Sequence, residues 1–444
     1  MKKKKKDTDF VEVNEDNTTK SSFFNKIRGV VPESFDEQDD MDGMDGMDDV
    51  DTEDENVTET PVKLNLKPLR NIAIIIVAVI IIRFIVVELI PGANYNSYEV
   101  LEDASVTNAN MTDYIAYQDS MIKYSRDGVT YIDEKGEAVW TETYAMKMPV
   151  ADVCGEYIAI ADLNGNDVYI FNKEGKVNSC TMPYNICDIS VASQGEFAVI
   201  LEGGKNSYTN MYDRDGNQIM ERKTSIDQQG YPLDVDLSVD GKKLFSSYLS
   251  INQNGELENK LTASNFGEVG QNENADRIVG AYQLENTIVP KVEFLDNNTV
   301  CAFGDNQFII YSMKEKSSQK TKIEFDSEIQ SVVFDSQYIG VVLANTEEDE
   351  QEPYVLKLYN TSGHEVMRKN LDFDYDNVQM RGDEIIFTGG NECRIYTTKG
   401  KVKFNCTFSK TVKDVVPTGY SKRYIVLYEN GSEVIRLKHA RVKE

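Results

Sequence analysis

The stretch YIAIADLNGNDVYIFNKEGKVNSC (157–180) decides the fold. Short apolar runs alternate in it with Asn, Gly and Asp, and the pattern recurs about every ten residues from Asp113 onward, which is typical of all-β structure. We interpret this unit as four strands, from an inner to an outer one: PVADVCG (149–155), YIAIAD (157–162), DVYIFN (167–172) and KVNSCTM (176–182). Gly175 then lies in the turn between the last two strands, where a tight hairpin needs positive φ.

This turn is one copy of a repeat along the chain. An aromatic or apolar residue, three mostly polar residues and a glycine recur as IDEKG (132–136), FNKEG (171–175), YDRDG (212–216), INQNG (251–255), YNTSG (359–363) and YTTKG (396–400), with a degenerate copy YSMKE (311–315). The copies start 39, 41, 39, 60, 48 and 37 residues apart, so the period is near 40 with one or two insertions. A unit of this length with four short strands predicts a blade of a β-propeller, whereas solenoid repeats do not match the strand content.

The number of blades follows from the inner strands. Up to eight candidates occur, near Tyr114, Val150, Ile186, Leu233, Val292, Ile329, Val378 and Val412. They are rich in β-branched residues, as expected if neighbouring blades cover both their faces. The last unit, which ends in RYIVLYENGSEVIRLK (423–438), shows only three strands, and SYEVLEDASVT (97–107) has the alternation of a strand that could complete it. We therefore predict an all-β propeller of seven or eight blades, with eight favoured, over residues 113–441, and a linker with a possible closing strand at 91–112.

The fourth unit is irregular. The segment LTASNFGEVGQNENADRIVGAY (261–282) is predicted to be an insertion before its outer strand. A long loop on a rigid ring is a favourable place for a binding site.

The charge is concentrated near the N-terminus. The net charge is -28, and the stretch 33–59 contains 14 carboxylates and no Lys or Arg. Such a sequence cannot bury a core, so we predict a disordered acidic tail over residues 1–68. An acidic chain without a basic block beyond its first six residues is not expected to bind nucleic acid.

A membrane helix is predicted at residues 69–90. The run NIAIIIVAVIIIRFIVVELI (71–90) makes a helix of about 30 Å, which matches the hydrocarbon core of a bilayer, and it fits a buried core helix or a cleaved signal peptide less well. Lys63, Lys67 and Arg70 precede it, while no Lys or Arg occurs from Pro91 until Lys123. The tail should therefore be cytoplasmic and the propeller extracytoplasmic.

Arg83 is the anomaly of this helix, because it lies close to the helix centre. A lone charge there is costly. Two explanations stay open: the side chain snorkels towards the outer interface, or it pairs with a carboxylate of a partner helix.

The six cysteines lie on the predicted extracytoplasmic side, where disulfides are permitted. If CRIYTTKGKVKFNC (393–406) is a hairpin turning near Lys399, Cys393 and Cys406 come opposite each other, which makes a disulfide between them possible. For the set as a whole, buried free thiols are the preferred alternative.

No catalytic, cofactor-binding or metal-binding residue can be named. His364 and His439 are the only histidines and lie far apart in the sequence, and no catalytic or nucleotide-binding motif is present. The strings DLNGND (162–167) and DRDGN (213–217) carry spaced oxygen ligands of the kind calcium uses, but these are also ordinary hairpin residues, and we favour turns.

Several segments together resemble a family of bacterial membrane proteins catalogued as domain of unknown function 5711: GYPLDVDLSVDGKKLFSSYLSI (230–251), ASNFGEVGQNENADRIVGAY (263–282), VPKVEFLDNNTVCAFGD (289–305) and VIRLK (434–438). The resemblance covers roughly residues 70–440. It implies a Gram-positive, often anaerobic, bacterial origin and a cell-envelope location, and it brings no activity or site residues.

A more distant resemblance links VTYIDEKGEAVW (129–140) to the repeat of quinoprotein-type propellers, which include outer-membrane assembly scaffolds. Trp140 is the only tryptophan, so we expect the tryptophan docking that joins such blades to be absent. A quinone cofactor is not expected.

The function predicted from these features is binding. We expect a single-pass protein of the cell membrane whose propeller binds or scaffolds a protein or a cell-envelope component, and which is not an enzyme. Two alternatives stay open: a transmembrane signalling element that couples ectodomain binding to the acidic tail, and an envelope hydrolase or lyase that uses carboxylates on the central channel.

Overall fold

Eight four-stranded antiparallel sheets form a β-propeller. The structure, a computed structural model, describes residues 94–104, 112–252, 254–345, 352–420, 422–428 and 431–440. Eight blades are thus confirmed, and all eight predicted inner strands are the first strands of their sheets.

The strands of each blade are given in order from the central channel outwards. Blade 8 contains the first strand of the chain, β1 (Ser97–Ala104), in its outermost position. Blade 1 has β2 (Asp113–Tyr117), β3 (Ser120–Ser125), β4 (Gly128–Ile132) and β5 (Ala138–Thr143); blade 2 has β6 (Pro149–Cys154), β7 (Tyr157–Asp162), β8 (Asp167–Asn172) and β9 (Gly175–Thr181). Blade 3 has β10 (Asn185–Val191), β11 (Phe197–Glu202), β12 (Asn206–Tyr212) and β13 (Gln218–Ser225); blade 4 has β14 (Tyr231–Leu237), β15 (Lys243–Ile251), β16 (Leu257–Asn265) and, after helix α1 (Glu268–Glu273), β17 (Ile278–Glu285).

The second half of the ring repeats the same order. Blade 5 has β18 (Lys291–Asp296), β19 (Thr299–Phe303), β20 (Gln307–Ser312) and β21 (Ser318–Glu324); blade 6 has β22 (Ile329–Phe334), β23 (Tyr338–Ala344), β24 (Tyr354–Asn360) and β25 (Glu365–Leu371). Blade 7 has β26 (Asn377–Arg381), β27 (Glu384–Gly389), β28 (Glu392–Thr397) and β29 (Val402–Thr407); blade 8 has β30 (Val412–Pro417), β31 (Arg423–Tyr428), β32 (Ser432–Lys438) and then β1.

The antiparallel order gives the propeller two distinct faces. One face carries the hairpins between the first and second strands and between the third and fourth strands of each blade, and we call it the lower face. The upper face carries the hairpins between second and third strands and the connections to the next blade. The chain enters at the lower face, because Ser97 at the start of β1 pairs with Lys438 at the end of β32.

The ring is closed by the N-terminal strand, as predicted. β1 pairs with β32 from Ser97↔Lys438 to Ala104↔Ser432, with one bulge after Val100. Tyr95, two residues before this strand, also joins blade 7. Its N–H donates to the Lys403 carbonyl over 2.9 Å, and its carbonyl accepts from the Asn405 N–H over 3.0 Å. The first described residues therefore tie the last two blades together.

The repeated glycines adopt the predicted backbone conformation. Gly136, Gly175, Gly216, Gly363 and Gly400 have φ between 77° and 122° in hairpins between third and fourth strands. The copy in blade 4 differs: Gly255, at φ 83°, turns between the second and third strands and so lies on the upper face. The motif encodes a tight turn whichever strands it joins, so assigning it to the same hairpin in every blade was wrong here.

The insertion in blade 4 is shorter than predicted. LTASN belongs to β16, which stays paired with β15 as far as Asn265↔Lys243, and Ile278 onward forms β17. Residues 266–277, with α1, are the actual insertion, and they lie on the lower face. The alternation of the third strand simply continues into the predicted loop.

Neighbouring blades are also joined at the rim. The Trp140 indole N–H donates to the Lys173 carbonyl of blade 2 over 2.9 Å, and its ring stacks on Phe171 with centroids 5.6 Å apart. The expectation that tryptophan docking is absent is therefore wrong for this one interface. Asn178 makes the corresponding bond to the Arg214 carbonyl at the next interface, over 3.1 Å. A shorter polar side chain thus replaces tryptophan there.

The core lies around the second strands. β11, β19, β27 and β31 are buried along almost their whole length, whereas the inner strand β6 is only half-buried throughout. The inner strands are less completely buried than the second strands, because one of their edges faces the channel.

The membrane predictions fall on another part of the chain. The acidic tail (1–68), the helix (69–90) and Arg83 lie outside the described residues. Within the described ranges, no helix has the length and apolar character needed to cross a bilayer.

Candidate functional site

Five carboxylates cluster on the inner strands of four consecutive blades. They are Asp152 on β6, Asp188 on β10, Asp234 and Asp236 on β14, and Glu293 on β18, and we call this set the acidic arc. Asp234 and Asp236 are two residues apart and therefore lie on one face of their strand. The first three occupy the same place, the fourth residue of three successive inner strands.

The aspartates of the acidic arc hold the next inner strand. Asp152 Oδ2 accepts from the Val191 N–H over 2.7 Å, and Asp188 Oδ2 accepts from the Val235 N–H over 3.1 Å. Between blades 4 and 5 the contact is doubled: Asp234 Oδ2 accepts from the Val292 N–H and Asp236 Oδ2 from the Phe294 N–H, over 2.7 and 2.6 Å. An inner strand is an edge strand with unpaired N–H groups, and these carboxylates satisfy them.

A single lysine balances part of this charge. Lys291 Nζ lies 3.6 Å from Asp234 Oδ2 and 3.3 Å from Glu293 Oε2. Desolvation lowers the pKa of Lys291, but the attraction of the surrounding carboxylates, Asp234 foremost, outweighs it and raises that pKa well above its usual value. Lys291 is therefore charged at neutral pH.

The carboxylates themselves are harder to ionise than usual. Desolvation raises the pKa of Asp188 and of Asp236 to about 6 each, although Lys291 opposes the shift. The same cause raises the pKa of Asp152, and it raises the pKa of Asp234 and Glu293 well above their ordinary values. All five carboxyl groups therefore take up a proton at a higher pH than they would in water.

The inner strands of blades 7, 8 and 1 are joined differently, and we call these three strands the closing arc. Gln379 on β26 donates from Nε2 to Asp414 Oδ1 over 2.6 Å and to the Val415 carbonyl over 2.9 Å. Lys413 on β30 donates to the Thr112 carbonyl and lies 3.4 Å from Asp113 Oδ1. Here one carboxylate, Asp414, whose pKa desolvation also raises, is held by the Gln379 amide, and an exposed ion pair joins blades 8 and 1.

A cavity of about 240 Å³ opens at the lower face between blades 1, 7 and 8. Polar side chains of their hairpins line it, among them Gln118, Asp119, Arg381 and Thr418. Its neighbourhood carries both signs of charge.

The upper face carries an apolar surface on blades 2 to 4. Ile251 and Leu257 are directly paired at the tip of the β15–β16 hairpin, and they are 70% and 46% exposed. Tyr184 and Ile226, in the connections after blades 2 and 3, are exposed on the same face. We call these four residues the upper-face apolar patch.

The residues singled out from the sequence have structural partners. Asp162 accepts from the N–H groups of Lys147 and Met148, each over 2.8 Å, and Asp213 Oδ1 accepts from the N–H groups of Asp215 and Asn217. His364 lies in a hairpin, where its backbone N–H donates to Asn360 Oδ1. His439 packs against Tyr95 with ring centroids 4.8 Å apart. Within the described ranges, no three His, Cys, Asp or Glu side chains are arranged to hold a metal ion.

The two cysteines of the predicted hairpin are direct cross-strand partners on β28 and β29, as the sequence indicates. All six cysteines are free thiols in this structure. Burial raises the pKa of the Cys393 thiol, so it stays protonated at neutral pH. The disulfide between Cys393 and Cys406 stays a prediction.

The acidic arc was not predicted, although the sequence carried its signal. The fourth residue is an aspartate in each of three consecutive inner strands, PVADVC, NICDISV and YPLDVDL. Aligning the repeats on their inner strands would have shown this; aligning them on the hairpin glycine hides it, because the intervening loops differ in length.

Comparison with known proteins identifies a family and several propellers. A family model described as "Family of unknown function (DUF5711)" matches residues 92–437. Among solved structures, the chain is similar to BamB from Moraxella catarrhalis, with 11% identity, a TM-score of 0.49, and coverage of 78% of this chain and 100% of that one. It is also similar to Sqt1 from Saccharomyces cerevisiae, with 12% identity, a TM-score of 0.49 and the same coverage. No curated protein matches the chain.

Proposed function

The chain belongs to the DUF5711 family of unknown function, and we propose that it is a single-pass membrane protein whose propeller binds a protein partner through its upper face. The observation that carries this proposal is the projecting β15–β16 hairpin. Inner strand β14 pairs with β15 only as far as Leu249, whereas β15 and β16 continue through Ile251↔Leu257. Two apolar side chains are thereby presented to solvent beyond the inner strand.

An exposed apolar pair on a rigid hairpin is suited to binding. Ile251 gains nothing for the fold from being 70% exposed, and a large apolar side chain in water is the usual anchor of a protein interface. Tyr184 and Ile226 extend the surface across neighbouring blades. Because β16 is held on both sides by β15 and β17, little entropy is lost when a partner docks on it.

A binding role fits the acidic arc better than a catalytic one. Each of its four aspartates accepts a hydrogen bond from the backbone of a neighbouring strand, so these side chains join the blades. We therefore propose that the protein is not an enzyme.

Photo-crosslinking of the full-length chain in its native membrane tests the binding proposal. A photoreactive residue at Ile251 should give a defined protein adduct, and Leu257→Ser in the same chain should abolish it. Val366 on β25 is the control, because it is 47% exposed but lies near the lower face. The proposal fails if position 251 gives no adduct, or if positions 251 and 366 give the same one.

Membrane anchoring has its own test. The full-length chain should remain with membranes after alkaline extraction, and deletion of residues 71–90 should release it. Extraction of the intact chain would contradict a spanning helix and leave the interface test unaffected.

A further inference from the structure

The lower face is basic where the chain enters the propeller. In the lower-face loops of blades 7 and 8, the charged residues are Lys399, Lys401, Lys422 and one carboxylate, Asp383. The corresponding loops of blades 2 to 4 hold nine carboxylates and four basic residues. This corner of the lower face is thus positive, whereas the corresponding loops of blades 2 to 4 are acidic.

Strand ends and an aromatic ring extend this corner. Arg423 lies over the ring of Tyr420 at 4.8 Å, and Tyr420 is 43% exposed. Lys438, at the end of β32, is exposed beside them and pairs with Glu99 over 2.6 Å. We call Lys399, Lys401, Tyr420, Lys422, Arg423 and Lys438 the lower-face basic patch.

The patch surrounds the entry point of the chain. Lys422 Nζ lies over the ring of Tyr95 at 5.1 Å, and Asn96 accepts from the Ala440 N–H over 2.7 Å. Lys422 also has φ 66°, a conformation that costs a residue with a side chain about 1–3 kcal/mol, and the Leu437 N–H bonds its carbonyl over 2.9 Å. Glycine would occupy this position without strain, yet a lysine is present.

We propose that the lower-face basic patch docks on anionic lipid headgroups of the membrane that carries the chain. This inference rests on the proposed membrane anchor. Five peptide units separate Ile90, the last residue of the predicted span, from Tyr95, and a chain of that length reaches at most about 17 Å. The headgroups are therefore within reach of the patch.

Charge and residue type both suit that surface. Lys and Arg side chains are attracted to an anionic bilayer surface, and tyrosine favours the headgroup region. Docking would orient the upper-face apolar patch away from the membrane, where a partner can reach it.

Tryptophan quenching in lipid nanodiscs tests the proposal with the full-length chain. Tyr420→Trp places a fluorophore in the patch, and the parent chain, whose only tryptophan is Trp140, gives the background emission. Brominated lipids should quench the added emission in discs containing phosphatidylglycerol. The quenching should be lost in pure phosphatidylcholine discs, at high salt, and in the variant that also carries Lys399→Glu, Lys401→Glu and Lys422→Glu.

The outcomes separate this inference from the proposed anchor. If the chain integrates into discs but shows no quenching, or equal quenching in both lipids, the docking is overturned and the anchor is unaffected. The same result is expected if the patch binds a wall polymer, since the discs contain none. A chain that fails to integrate refutes the anchor. Its flotation with phosphatidylglycerol vesicles then supports the patch, and failure to float overturns it. Lys205→Glu, on the upper face, is the control for a charge reversal outside the patch.

Discussion

The acidic arc and the closing arc solve the same problem with different chemistry. Both must satisfy the free edge of an inner strand where one blade meets the next. In blades 2 to 5 the acceptors are buried carboxylates, whereas between blades 7 and 8 an amide, Gln379, donates to its neighbour, and between blades 8 and 1 the exposed Lys413 does so. The first solution places several desolvated carboxylates around Lys291; the second holds only one, Asp414, on the inner strand of blade 8.

The difference teaches what the carboxylates contribute. A charge-assisted hydrogen bond is stronger than a neutral one, but desolvating several carboxylates side by side is costly. The raised pKa values of Asp188 and Asp236 measure that cost. Truncating a side chain of the acidic arc, or changing the pH, should therefore change the free energy of unfolding. The same changes at the closing arc should have smaller effects.

The largest effect is expected for Asp236→Ala. Asp236 accepts from the Phe294 N–H and from Ser190 Oγ, each over 2.6 Å, and truncation leaves both donors buried without this acceptor. We expect a loss of about 2–3 kcal/mol in the free energy of unfolding, measured by urea denaturation. Asp236→Asn is the control, because its single amide oxygen still accepts from the Phe294 N–H, its NH2 can donate to Ser190 Oγ, and the charge is gone; its stability should equal or exceed that of the parent. Equal losses in both variants would contradict a role for charge.

The second prediction concerns pH. Asp236 has a pKa of about 6 in the folded protein, and an unfolded aspartate has a pKa of about 3.9, so the folded state binds more protons between these values. The free energy of unfolding should therefore rise as the pH falls from about 7.5 to about 5, by about 1–1.5 kcal/mol from this residue. Arg368 lowers the pKa of Glu365, so protonation of Glu365 destabilises the folded state. That loss of stability occurs only at more acidic pH.

Asp236→Asn should flatten that dependence. Urea titrations of both proteins at the two pH values check it, since the variant cannot take up the proton. A parent whose stability falls over this range would show that the arc is not strained by its charge.

Much of the propeller could be predicted from sequence because its signals are local. A tight hairpin needs positive φ, so Gly136 or Gly400 marks a turn without any knowledge of the rest of the chain. The alternation of residues 97–107 and the missing fourth strand of the last unit together predicted the closure. The hairpin of Gly255 was misplaced because the local signal does not say which two strands it joins.

The acidic arc and the two surface patches depend on distant residues. Asp188 and Val235 are 47 positions apart, and Lys399 and Lys422 belong to loops of two different blades. Nor did the sequence show that Ile251 is exposed, since an isoleucine ending an apolar run looks like a core residue. Exposure depends on how far β14 extends, and that is fixed by the register with β15.

The third prediction concerns Gln379 in the closing arc. Gln379→Leu removes two donated hydrogen bonds, to Asp414 Oδ1 and to the Val415 carbonyl, but Asp414 Oδ1 still accepts from the Val415 N–H over 2.8 Å. We expect a loss of about 1 kcal/mol in the free energy of unfolding, less than for Asp236→Ala. A larger loss than that of Asp236→Ala would reverse the ranking of the two arcs.

The smallest effect should come from Lys413→Met at the interface of blades 8 and 1. The side chains of Lys413 and Asp113 are 42% and 61% exposed, so solvent screens their attraction, and methionine keeps most of the apolar stem. A loss of at most about 0.5–1 kcal/mol is expected in urea denaturation, and adding salt to the parent should reproduce part of it. The same salt should change the stability of Asp236→Asn no more than that of the parent, because the carboxylate removed there is buried. If Lys413→Met instead unfolds the ring, closure depends on this one contact, and the pairing of β1 with β32 does not by itself hold the first and last blades together.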